Sequence, residues 1–146
     1  MKRLLLLLIA VLGLTGCSSH KIFEEYDISY SRSGGLAPIY ENMLIKGQTV
    51  HYFYEGHGKK YNKKSTLSQK EKTALYQAIE SNKLSTIRED YKKLYDHITT
   101  TVKVRTPRED IYKNDGSFIM PQDQKRWENI VGAFEALVEK KNLRTP

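Results

Sequence analysis

Apolar positions along this chain fall into three patterns: one short continuous run, several period-two alternations, and two stretches at three-and-four spacing. The continuous run occupies 4–12 behind the basic pair Lys2-Arg3 and closes on Leu14-Thr15-Gly16-Cys17. At nine residues it is too short to cross a bilayer, which takes roughly 20 apolar residues as a helix.

Alternation begins at Tyr26, Ile28 and Tyr30, which interleave with Asp27, Ser29 and Ser31 and predict a half-buried strand over 26–31. Gly34-Gly35 and Pro38 break it, because paired glycines take positive φ without a steric penalty. A second strand is predicted over 39–45. The turn Lys46-Gly47 then leads to a third over 48–55, with Val50, Tyr52 and Tyr54 on one side and Thr49, His51 and Phe53 on the other. The stretch 56–66 is polar, glycine-bearing and lysine-rich, and reads as a loop.

Ser68 and Glu71 stand at capping-box spacing and open a helix that runs to about Asn82, with Ala74, Leu75, Ala78 and Ile79 as its apolar stripe. Leu84 and Ile87 continue the burial in a turn. A charged connector at 90–95 follows. Ile98, Thr100, Val102 and Val104 then give the strongest strand alternation in the chain, stopped by Pro107. A short strand at 110–113, a turn at Asn114-Asp115-Gly116 and a candidate further edge at 118–120 precede Pro121. Trp127, Ile130, Val131, Phe134, Leu137 and Val138 mark an amphipathic helix whose apolar face needs a sheet to cover. The predicted architecture is α+β, an antiparallel sheet of about five strands with two helices packed on one face. It forms a single domain over 26–140, followed by a polar, frayed tail at 141–146.

A basic n-region, an apolar core and small residues before a break are the layout of a secretory signal. Leu14-Thr15-Gly16-Cys17 resembles the lipobox of bacterial lipoproteins. That resemblance implies removal of residues 1–16, a diacylglyceryl thioether on Cys17 and acylation of the new amine, commonly with palmitate. Residues 17–25 are then an acylated cysteine and its tether. A single chain holds weakly, whereas two or three make a lasting anchor. Ser18, and not Asp, follows the cysteine. By the same resemblance this favours the outer membrane, facing the periplasm.

Loss of Lys2 and Arg3 with the signal lowers the formal charge from +7 to +5, which favours an anionic membrane or glycan nearby. Nucleic acid is excluded as a partner by export. Cys17 is the only cysteine, so its use for lipid leaves the domain without a disulfide, a thiolate metal site or a thiol nucleophile.

Gly34-Gly35 after the first strand, Leu67-Ser68 opening the helix, Tyr91 and Asp96 before the long strand, and Pro121 before the last helix carry a second likeness. In this order of elements the chain resembles an uncharacterised group of small bacterial envelope lipoproteins. More loosely, it is similar to emfourin-like inhibitors of thermolysin-type metalloproteases, which implies a membrane-tethered inhibitor as the alternative function. The anchor and the lysine-rich stretch depart from the inhibitor pattern.

No catalytic motif is present. His20, His51, His57 and His97 lack zinc-site spacing. Ser18 and Lys21 match S-x-x-K only on the tether, and Glu24-Glu25 and Glu89-Asp90 lie in polar stretches. The expectation is a binding protein, not an enzyme, with no cofactor and no metal. Tyrosine joins apolar area to a polar tip and suits recognition surfaces. Most of the ten tyrosines alternate on strands and are expected to bury their rings. Tyr54 and Tyr61, flanking Lys59, Lys60, Lys63 and Lys64, are the candidate exposed pair and with those lysines form the candidate partner-binding set, for an envelope protein or an anionic glycan.

Overall fold

A computed structural model describes residues 27–92 and 95–145. The predicted signal, Cys17, the tether and Tyr26 lie outside the described residues, as does part of the connector at 90–95. Among the described residues no helix is long and apolar enough to cross a membrane.

Six strands form one antiparallel sheet: β1 (Asp27–Gly34), β2 (Ile39–Lys46), β3 (Thr49–Gly56), β4 (Lys59–Thr66), β5 (Ile98–Arg105) and β6 (Asp110–Asn114), in the spatial order β4-β3-β2-β1-β5-β6. The first four make a meander. The chain then passes through α1 (Gln69–Ser81) and a 3-10 turn (Leu84–Thr86) before β5 pairs with the free side of β1. Helix α2 (Pro121–Lys140) completes the domain.

Period-two side chains in register give the sheet one buried face. Ile28 stands between Ile45 and Val104, and Tyr30 between Met43 and Val102, all of them buried. Val50 and Tyr52 extend that row onto β3. The buried residues of both helices join the same cluster. Helix α1 starts where the capping box predicts: Glu71 N–H donates to Ser68 Oγ at 3.3 Å and Ser68 N–H to Glu71 Oε2 at 2.8 Å. Helix α2 buries Trp127, Ile130, Phe134, Leu137 and Val138, and Phe134 stacks on Tyr30 with ring centroids 4.9 Å apart. Alternate sheet residues such as Tyr40, Leu44, Thr49 and His51 face outward and are exposed.

Three expectations are corrected. The stretch 56–66 is not a loop. His57 and Gly58, both at positive φ, make a two-residue turn of the kind that joins tight hairpins, and β4 follows, which brings the sheet to six strands where about five were expected. Its lysines lower strand propensity, but an edge strand with one side unpaired tolerates and even favours them. Residues 118–120 do not return as an edge strand; Ile119 makes one isolated bridge to Glu89.

The tail is not frayed. Asn142 takes φ 49°, its N–H donates to Glu139 O, and Leu143 N–H reaches back to Val138 O at 3.0 Å. That pairing terminates a helix and turns the next apolar residue inward. Leu143 is 2% exposed.

Candidate functional site

Pleating separates the candidate partner-binding residues. Register puts Tyr54 opposite Tyr61, and Gly56 opposite Lys59, on the buried side of the sheet, while Lys60 and Lys64 lie across from Glu55 and His51 on the outward side. Tyr54 and Tyr61 are half-buried and stack at 5.7 Å. Lys63 Nζ sits over Tyr61 and donates to Asn142 O at 2.9 Å and to Thr145 O, so it holds the C-terminal tail. Lys60 pairs with Glu55 at 3.2 Å and lies over Phe53. The six residues therefore do not form one surface. The strongly exposed tyrosines are instead Tyr91 and Tyr95, with Tyr40 and Tyr112 about half exposed. His51 lies near the start of β3 and His57 in the turn just past its end, and among the described residues no group of His, Cys, Asp and Glu gathers to hold a metal.

A groove of about 460 Å³ lies between the start of α2 and the strand end at His97. Gln124, Trp127, Glu128 and Val131 line it from one side of α2, at the i, i+3, i+4, i+7 spacing that shares a helix face. Phe118 and Ile119 close the opposite wall, and Phe118 is 54% exposed at the rim. Gly132 extends the floor with no side chain, and nothing stands within 4 Å of where its Cβ would be.

Asp115 fixes this groove. Its Oδ1 accepts Thr100 N–H at 2.5 Å, its Oδ2 accepts Trp127 Nε1–H at 3.2 Å, and its carbonyl oxygen meets His97 Nε2 at 3.0 Å. One turn residue thus ties strand, helix and histidine together. Gly34, at φ 103°, lies against the same corner: a Cβ there would stand 2.8 Å from His97 O. The α2 end of the groove is anchored by Asp123, which accepts Arg88 N–H at 3.0 Å, Arg88 Nε–H at 2.9 Å and Arg126 Nη2–H at 2.5 Å. Those guanidinium bonds, from Arg126 first and then Arg88, hold its carboxyl well below the usual carboxylate range. An acidic group in the first helical turn also complements the helix dipole.

A second assembly is buried and ionic. Glu41, fully buried, accepts Tyr52 Oη–H at 2.7 Å and two Arg144 nitrogens at 3.0 and 2.9 Å. Arg144 also binds Glu135 at 2.7 and 3.0 Å, Tyr30 Oη–H donates to Glu135, and Arg32 approaches both carboxylates at 3.4 and 3.5 Å. Burial, then the bond to an adjacent carboxylate, pushes both Tyr30 and Tyr52 far above their ordinary value of 10. Burial alone would raise Glu135 and lower Arg144. Their mutual hydrogen bonds outweigh it, so Glu135 lies below its usual value and Arg144 above. With two guanidinium groups against two carboxylates the assembly is neutral overall, and its bonds are internal. It is a latch on the tail.

Hydropathy could not reveal the groove, because Asp115 read only as a turn residue and His97 only as a histidine without zinc-site spacing. The one available signal was Trp127, the chain's single tryptophan, whose indole N–H needs a buried partner. No protein-family model and no curated protein sequence matches this chain.

Proposed function

We propose that this chain is a lipoprotein of the bacterial envelope, anchored through Cys17 in the outer membrane and facing the periplasm, whose domain recognises another protein and performs no chemistry. The lipobox motivates the anchor. Both helices lie on the buried face of the sheet in this reading, and the groove at the His97 corner is a concave surface open to a partner.

The observation that carries the reading is the groove's character. Its floor and walls are Trp127, Phe118, Ile119 and Val131, with Glu128 and Gln124 at the side. An apolar concavity with a few fixed polar groups suits a partner's apolar side chain flanked by backbone donors. A wall carboxylate disfavours an anionic glycan there, so a polypeptide is the better fit. A photoreactive phenylalanine analogue placed at Phe118, and separately at Lys60, tests this in intact cells. The expected result is a discrete adduct to a polypeptide from position 118. Adducts from position 60 alone, or to glycan, would reverse the assignment.

A further inference from the structure

We infer that the free edge of β4 takes an extended acidic segment of a partner protein, which adds to the six-stranded sheet as one more strand. Antiparallel strands bond through alternate residue pairs, so each residue of an edge strand either faces its neighbour or turns its N–H and C=O away. On β4 the phase is fixed at both ends. Leu67 N–H donates to Gln48 O at 2.8 Å, and Gly56 stands opposite Lys59 across the tight turn. Between them the pairs that face each other through backbone bonds are therefore Tyr54 with Tyr61, Tyr52 with Lys63 and Val50 with Ser65. Lys60, Asn62, Lys64 and Thr66 turn their backbone groups the other way, where among the described residues no strand follows. The same four carry their side chains on the outward face of the sheet, across from Glu55, Phe53, His51 and Thr49.

Chemistry selects the occupant. A row of alternating N–H and C=O groups is met in full only by another polypeptide backbone, and strand addition to a sheet edge is a recurring way to bind one. Side chains then say which. Lys59, Lys60, Lys63 and Lys64 stand in register against Gly56, Glu55, Tyr52 and His51, so one carboxylate faces four lysines across the hairpin. Lys60 meets that carboxylate at 3.2 Å with both side chains more than half exposed, a weak pair whose lysine a second carboxylate can share. Lys63 is committed to Asn142 O and Thr145 O. Lys60 and Lys64 thus flank the outward-turned backbone, with the neutral amide of Asn62 between them. An antiparallel strand with carboxylates at i and i+4 sets one beside each, at about 5.5 Å between α-carbons. Its intervening residues fall on the side of Tyr61, half-buried against Tyr54, where an apolar side chain fits. The lysines also oppose a second copy of this basic edge, so the charge that prevents self-pairing is the charge that chooses an acidic partner. This surface is separate from the groove, since three strands lie between β4 and β5, at whose start His97 stands.

The test uses the full chain in mild detergent, with Glu24 and Glu25 present because both lie outside the described residues. The probe is a capped peptide, Thr-Glu-Val-Thr-Val-Glu-Thr, and amide hydrogen exchange is read residue by residue by NMR. With saturating peptide, the amides of Lys60, Asn62 and Lys64 are expected to exchange about tenfold more slowly, while those of Lys59, Tyr61 and Lys63, already turned to β3, keep their rates. The same peptide N-methylated at both Glu residues and the central Thr loses the effect, one with Lys in place of Glu does not bind, and high salt weakens the parent. A Lys60→Gln, Lys64→Gln double variant binds the peptide about tenfold more weakly. Its unchanged rates at Lys59, Tyr61 and Lys63 show that the hairpin is intact. Four results overturn the inference: no slowing with peptide, edge amides already protected without it, an N-methylated peptide that binds as tightly as the parent, or protection by a sulfated glycan and not by the peptide.

Discussion

Arg144 and Glu41, 103 residues apart in sequence, meet through two charge-assisted hydrogen bonds at 3.0 and 2.9 Å, one to each carboxylate oxygen. Glu41 is fully buried, so it depends on that fork, on Tyr52 and on the longer approach of Arg32. Arg144→Ala leaves the carboxylate short of its best partner. Breaking a buried pair costs about 3–5 kcal/mol; with Arg144 itself a third exposed and Arg32 remaining, about 2–3 kcal/mol is expected. Urea unfolding followed by circular dichroism measures it. Arg144→Lys should fall between, because an ammonium cannot make the planar two-pronged contact.

The same assembly, with Glu71 and Asp123 elsewhere, shapes the response to pH. Tyr30 and Tyr52 have folded values raised above 10, so their contribution is whole below pH 10 and is lost as pH climbs beyond it. Glu135, Glu71 and Asp123 are depressed below ordinary values of 4.5, 4.5 and 3.8, so their contributions are present above that range and are lost as pH falls beneath it. For Glu71 the cause is first Lys140, then the Ser68 N–H and Lys141. Stability is therefore expected to be flat from about pH 5 to 9 and to drop on both sides. Melting temperature against pH gives the profile. A Tyr30→Phe, Tyr52→Phe double variant should lose most of the alkaline drop while keeping the acid one.

Elements with a strict period were legible in the sequence. The alternation at 98–105 and the three-and-four spacing after Pro121 correspond to β5 and α2, and Ser68 with Glu71 marked the start of α1 to the residue. What escaped was set by local backbone chemistry or by long-range pairing. Strand β4 carries four lysines, and only the positive-φ pair His57-Gly58 marks its turn. The tail was hidden for a similar reason: Lys140-Lys141-Asn142-Leu143 looks polar, yet Asn at a left-handed position followed by Leu is a helix-stop signal with an inward apolar residue. The groove belongs to the last kind. Asp115, His97 and Trp127 come from three elements, and nothing in one-dimensional spacing says that they meet.

Asp115→Asn tests how far the groove depends on that one carboxylate. Both side-chain oxygens accept from N–H groups, Thr100 on one side and Trp127 on the other. An amide has only one acceptor end, so its NH2 must face one of the two donors. A buried donor left unpaired costs about 1–3 kcal/mol. Because Trp127 is the sole tryptophan, its fluorescence reports the change directly. A red-shifted emission and a lower melting temperature are expected, together with a weaker adduct at position 118. Gly34→Ala should act on the same corner through His97, since the added Cβ meets its carbonyl at 2.8 Å and the φ of 103° is strained for alanine.

The lysines of β4 carry the last prediction. This strand ends the sheet at one side, so among the described residues one row of its backbone N–H and C=O groups lacks a neighbouring strand. Such an edge invites another chain to pair with it, and charged side chains, lysine above all, discourage the approach. Lys60 and Lys64 project to the outward face and Lys59 to the other, whereas Lys63 is committed to Asn142 and Thr145. Replacing Lys59, Lys60 and Lys64 by Thr removes three charges while raising strand propensity, and it leaves the tail contact of Lys63 intact. The folded monomer should keep its stability within about 1 kcal/mol, because surface changes away from buried features cost little. Its solubility should nevertheless fall, with sheet-rich oligomers appearing by light scattering as concentration rises. A triple variant that stays monomeric would mean that the lysines do not guard the edge, and their charge would then need a partner to explain it.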